Sequence, residues 1–157
     1  MLKIFIDGDG CPVKDEVYRV ARRYGLEVAL VANSSMYTPN DERIEMVVVE
    51  GKFDAADDWI VEHAGENDVV ITADIPLASR SLRKAARVLR PTGREFTDEN
   101  IGDALATREL MSHLRDLGTQ TGGPAPFENK DRSRFLHRLD EIVQTIRRKD
   151  PSPRAGN

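Results

Sequence analysis

Hydrophobic positions along the chain fall into short unbroken runs, separated by longer stretches with helical spacing. LKIFI at residues 2–6 is one such run. It stops abruptly at DGDG and reads as a buried strand ending in a turn. Pro12 suits the first position of a helix, where its missing N–H costs nothing. Val13, Val17, Val20, Ala21 and Tyr24 then recur at helical spacing up to Gly25, a helix terminator. EVALVA at 27–32 is a second strand, ending at Asn33, and 34–43 is polar and loop-like. A third strand at 44–49 closes on the β-branched run VVV. Asp54 opens a helix, DAADDWIVEHA, with Trp59 expected in the core beside Ala56, Ile60 and Ala64. DVVIT at 68–72 is a fourth strand, 75–84 is helical, and 86–89 is a short fifth strand. Thr97 is placed to cap a helix running to about Leu117. Residues 118–127, GTQTGGPAPF, are rich in breakers. They read as a lid, a backbone nest for an anion, or a plain connection. Phe135, Leu139, Ile142 and Ile146 mark a last helix, and KDPSPRAGN at the end reads as a disordered tail.

Strands that alternate with helices and are apolar throughout predict helices on both faces of a mostly parallel sheet. The expected fold is therefore a three-layer α/β/α domain of about five strands over 1–148, with a tail at 149–157. In such sheets, ligands sit beyond the carboxyl ends of the strands. Those ends are rich in aspartate: Asp7 and Asp9 after strand one, and Asp74 after strand four. Asp54, Asp57 and Asp58 lie in the first turn of the helix after strand three, and Asn33 ends strand two.

Each acid also has a plain structural reading. DGDG is an ordinary turn, Asp54 and Asp74 are natural N-caps, and Asp57 sits where an acid favours the helix dipole. Taken together, three segments bring carboxylates to one edge. Their mutual repulsion would be relieved by a hard cation, Mg²⁺ or Mn²⁺, held by Asp7, Asp57 and Asp74. The chemistry expected of that set is hydrolysis of a phosphate ester by metal-activated water. Asp9 and Asp58 serve as further ligands or as a base, and Asn33, Thr72 and Arg80 as contacts to substrate.

Composition narrows the partners. Of 157 residues, 39% are hydrophobic, enough for a core, and the net charge of −4 excludes a protein that coats nucleic acid by bulk charge. Arg80, Arg83, Lys84, Arg87, Arg90 and Arg94 nevertheless form a basic stretch, read either as a nucleic-acid contact or as a solvated face. Cys11 is the only cysteine, so no internal disulfide forms, and it reads as a buried or incidental thiol. His63, His113 and His137 are scattered without metal-ligand spacing. No run approaches a membrane span and the start lacks signal-peptide character, so a soluble cytoplasmic protein is expected.

Several stretches resemble the bacterial YaiI/YqxD family: FIDGDGCPVK, FDAADDWIVE, ITADIPLASR, TGGPAPF and DRSRFLHRLD, together spanning about 1–140. The family opening is usually Asp-Ala-Asp-Ala-Cys-Pro, so Gly8 and Gly10 depart from it and are expected to loosen the turn. The resemblance implies a PIN-like fold, and PIN domains are metal-dependent ribonucleases. On the PIN pattern, Asp7 matches the first acid, Asp57 with Ile60 the helical acid, and Thr72-Ala73-Asp74 the Thr-x-Asp motif. The family itself brings no activity. The expectation is thus a divalent-metal nuclease, acting on RNA rather than DNA. The alternatives are a non-catalytic RNA- or protein-binding module with a vestigial metal site, and an aspartate-nucleophile phosphatase. FIDGDGC is similar to the haloacid dehalogenase opening, although TADIPLA lacks the second acid of that group.

Overall fold

The computed structural model describes residues 2–51, 54–118 and 126–149. The 150–157 stretch and most of the 118–127 loop lie outside it, so the expectations for the tail and for a lid fall outside the described residues. Six strands form one sheet in the order β3-β2-β1-β4-β5-β6. These are β1 (Lys3–Asp7), β2 (Glu27–Ala32), β3 (Ile44–Val48), β4 (Val69–Ile71), β5 (Arg87–Leu89) and β6 (Glu95–Phe96). The first five are mutually parallel, and β6 turns back antiparallel on β5. The helices are α1 (Lys14–Tyr24), α2 (Ala55–His63), α3 (Ile75–Arg83), α4 (Ile101–Asp116) and α5 (Asn129–Lys149).

Alternation along the strands builds two cores. Ile4, Ile6, Val28, Leu30, Val69, Ile71 and Leu89 point to one face, where Val17, Val20 and Ala21 of α1 and Phe135, Leu139 and Ile142 of α5 meet them. Phe5, Ala29, Val31, Val70 and Val88 point to the other, against Ile60 of α2 and Leu77 and Ala78 of α3. The sheet is thus the middle of three layers, as its mostly apolar central strands predict.

The differences from the sequence reading have local causes. β6 adds a sixth strand of two residues, too short to show a period. α1 begins at Lys14, with Val13 rather than Pro12 at its boundary, and ends at Gly25. Gly25 is left-handed at φ 66°, and the Leu26 N–H returns to the Ala21 carbonyl at 2.8 Å. Thr97 does not cap α4 directly. It exchanges hydrogen bonds with Asn100, the residue at the helix boundary, across one preceding turn. Trp59 is half-buried rather than central, tilted on Phe5 with centroids 6.1 Å apart and stacked on His63 at 3.8 Å.

No helix among the described residues is long and apolar enough to cross a membrane.

Candidate functional site at the carboxyl edge of the sheet

β1 and β4 are neighbours, although α1, β2, β3 and α2 separate them in sequence. The chain winds outward from β1 through β2 to β3, then restarts at β4 and winds the other way. A doubly wound sheet opens its ligand crevice at such a reversal. Asp7 is the last residue of β1 and Thr72 directly follows β4. Because Ile6 and Ile71 enter the α1/α5 core, the alternation turns Asp7 and Thr72 to the α2/α3 face.

Thr72 is 2% exposed and joins the two acids beside it. Its hydroxyl donates to Asp7 Oδ2 at 2.8 Å, while its oxygen accepts the Asp74 N–H at 2.9 Å. Asp74 Oδ1 in turn accepts the Leu77 N–H at 2.9 Å and caps α3, whose first turn contains Pro76. The cap reading of Asp74 and its place at the acidic edge therefore hold together: one oxygen caps the helix.

Asp57 comes from the first turn of α2. Its carboxyl is raised to about 6, first by burial and then by the charges of Asp74 and Asp7; Arg80 opposes them and Asp54 adds slightly. Burial likewise raises the Asp7 carboxyl. The Thr72 hydrogen bond works against this, and the charges of Asp74 and Asp9 work with it. Three acids from three separate elements therefore sense one another.

The other predicted site residues divide. Asp9 accepts the Asn33 backbone N–H at 3.1 Å and so ties the β1 turn to the end of β2, while Asn33 itself is exposed. Asp58 pairs with Arg80 at 2.9 Å, which gives both a partner within the protein. Thr72, expected to touch substrate, is instead buried between Asp7 and Asp74 and positions them. Asp54 stands at the α2 boundary without a side-chain capping bond. Gly10 is left-handed at φ 77°, so glycine there relieves backbone strain rather than merely loosening the turn. Cys11 is buried, and burial pushes its thiol up, opposite to an activated nucleophile. His113 is exposed, and exposed His137 lies 3.5 Å from Glu141.

Among the described residues, no group of three Asp, Glu, His or Cys side chains is arranged to hold a metal ion. The donor chemistry of the edge still fits Mg²⁺ or Mn²⁺. These ions bind through one or two carboxylates, keep several waters, and take substrate phosphate as a further ligand. Asp68, six residues before Asp74, belongs to the opposite edge. It accepts the backbone N–H groups of Lys3 and Gly65, both at 3.0 Å. A cavity of about 300 Å³ at that amino edge is lined by Val28 and five charged residues, of which Lys3 lies within ion-pair reach of Glu27 and Glu45.

Known sequences place the chain. The model of the family described as "Uncharacterized BCR, YaiI/YqxD family" matches residues 5–145. A UPF0178 protein of Rhodospirillum centenum is 55% identical over 152 residues, covering 94% of this chain and 99% of the relative. One from Paramagnetospirillum magneticum is 56% identical over 151 residues, covering 96% and 100%. One from Brucella ovis is 56% identical over 146 residues, covering 92% and 91%. No solved structure matches the chain. With a family model matched over most of its length and relatives this similar end to end, the chain belongs to the YaiI/YqxD family.

Proposed function

We propose that the carboxyl edge binds a divalent cation and acts on the phosphodiester backbone of nucleic acid, RNA in preference to DNA. The observation that carries this reading is the gathering of Asp7 and Asp74 about Thr72 at the winding reversal of the sheet, with Asp57 of α2 near enough for their charges to raise it. Repelling, partly buried carboxylates cost stability, and a cation offsets that cost. When bound, Mg²⁺ or Mn²⁺ supplies an acidified water and neutralises charge on the phosphate. Asp7 and Asp57 would hold the cation through their carboxylates, Asp74 would contribute the oxygen that does not cap α3, and Thr72 bonds to both Asp7 and the Asp74 N–H.

The test is cleavage of a labelled single-stranded RNA by purified protein with Mn²⁺, with EDTA, and with Asp7→Asn of confirmed fold. A metal-dependent product from wild type that falls by about 100-fold or more in Asp7→Asn supports the reading, on the scale of a lost catalytic electrostatic partner. Equal cleavage by both proteins points to a contaminating nuclease and refutes it.

The missing ready-made three-ligand group among the described residues favours one second reading, an RNA-binding module without turnover. RNA binding that persists in EDTA, with no product under any metal, selects it.

A further inference from the structure

The basic stretch at 80–94 does not act as one surface. Arg80 is taken up by Asp58, and Arg87 by Glu95, which Arg138 also contacts. Arg83 lies along α3 and reaches Ser79. Lys84 ends α3 at the amino edge of the sheet, where β5 begins three residues later. Arg90 and Arg94 remain. Neither lies within ion-pair distance of a carboxylate among the described residues.

These two arginines flank the turn between β5 and β6, at the same carboxyl edge as Asp7 and Asp74. The Thr72 N–H donates to the Leu89 carbonyl at 3.2 Å, so Arg90 follows the residue bonded to the threonine that positions both acids. The Arg90 guanidinium lies over the Phe96 ring, 4.3 Å from its centroid, and Phe96 belongs to the α2/α3 core. Arg90 is therefore on the same face of the sheet as Asp7 and Thr72.

The turn holding the pair is tied by backbone hydrogen bonds and packs against α5. Arg90 N–H donates to the Arg94 carbonyl at 2.8 Å, and Gly93 N–H to the Arg90 carbonyl at 2.9 Å. Gly93 is left-handed at φ 90° and so close to α5 that an added Cβ would sit 2.8 Å from the backbone of Arg134 and of Phe135. Burial and the Arg94 charge both lower the proton affinity of Arg90. A guanidinium over an aromatic ring can still offer N–H donors to the two non-bridging oxygens of a phosphate.

We infer that Arg90 and Arg94 form a phosphate subsite for single-stranded nucleic acid, one to two strand widths from the acidic edge, so that the backbone runs from the arginine turn toward Asp7 and Asp74. Strands in a sheet are about 4.8 Å apart, so the backbone at Arg90, just past β5, and at Asp7, the end of β1 with β4 between, is separated by roughly 10 Å. Neighbouring phosphates of an extended single strand are spaced on the order of 6–7 Å, so the subsite takes a phosphate one or two nucleotides from the one at the acids. The placement rests on the phosphodiester reading of that edge, but the binding itself needs no metal.

The test is binding of a fluorescent single-stranded RNA in EDTA over a salt series, using wild type, Arg90→Gln, Arg94→Gln, the double variant and Lys84→Gln. Each lost phosphate contact is expected to reduce the salt slope by about 0.7, and the double variant by about 1.4. Lys84→Gln keeps the wild-type slope. Arg90→Lys, which keeps the charge, is expected to retain the slope, so a change in Arg90→Gln is not mere misfolding. A wild-type slope in the double variant overturns the subsite, as does absence of RNA binding by wild type at low salt. Displacement of RNA by inorganic phosphate at equal total phosphate also overturns it, since the pair would then hold a small free anion. Because no metal or turnover enters, these outcomes are separate from the failure of the cleavage test.

Discussion

Replacing Asp57 by Asn should make the protein more stable at neutral pH. The folded carboxyl sits at about 6, against an ordinary value of 3.8, because burial and the charges of Asp74 and Asp7 disfavour its ionised form. A carboxyl raised on folding binds more protons folded than unfolded between those two values. The folded state is therefore penalised progressively as pH rises through about 4 to 6, and the full penalty stands above that window. Below about pH 4 the group is protonated in both states and the penalty vanishes. At about 1.4 kcal/mol for each tenfold change in proton affinity, the gap between 6 and 3.8 sets a ceiling of about 3 kcal/mol. Asp57 is only half-buried, and solvent screening reduces the expected gain to about 1 kcal/mol. That corresponds to roughly 2–4 °C in Tm for a chain of this size. The assay is urea unfolding of both proteins from pH 4 to 8, with and without Mn²⁺. The stability difference should grow from near zero at pH 4 to its full value above pH 6, and Mn²⁺ should raise wild type more than the variant. Asp57→Asn being less stable than wild type at pH 7, or a difference that ignores pH, would refute the reasoning.

Other substitutions test the remaining links. Thr72→Val keeps the shape but removes the hydroxyl between Asp7 and the Asp74 N–H; a loss of roughly 1–3 kcal/mol in urea unfolding is expected, together with weaker Mn²⁺ binding by calorimetry. Asp74→Asn keeps an acceptor for the Leu77 N–H while removing the charge, so it should melt within about 2 °C of wild type yet lose RNA cleavage. Asp74→Ala should lose the cap as well, at about 1 kcal/mol, offset in part by relief of repulsion. Gly93→Ala adds a Cβ against the α5 backbone at a left-handed position and should cost about 2–4 kcal/mol, read as a fall in the urea midpoint.

Much of the fold was legible because it depends on burial, and burial leaves a pattern. β1, β2 and β4 are built on continuous apolar runs, and helices such as α1 and α5 carry their core residues at regular spacing. What escaped has no such pattern. β6 is two residues held by the Arg87–Glu95 pair and by the Phe96 ring beneath Arg90, contacts set by the folded hairpin. The start of α4 was blurred because Thr97 and Asn100 are both good capping residues, and their mutual hydrogen bonds form a turn before the helix.

The acidic edge was legible at the level of position and not of pairing. Asp7, Asp57 and Asp74 follow from strand ends and a helix start. Which acids face one another depends on rotation about α2 and on the register of β1 with β4. Asp57 and Asp58 show the difference. Adjacent residues of a helix point about 100° apart. That angle sends Asp57 toward Asp7 and Asp74, where repulsion raises it, and sends Asp58 to Arg80, where it is neutralised. In the sequence the two are equivalent carboxylates in one first turn. Folded, one faces two other carboxylates whose repulsion a cation can relieve, and the other has its counter-ion in hydrogen-bond contact. Arg80 shows the same from the other side: it is spent on Asp58, while Arg90 and Arg94, ten and fourteen residues on, have no carboxylate within ion-pair distance among the described residues.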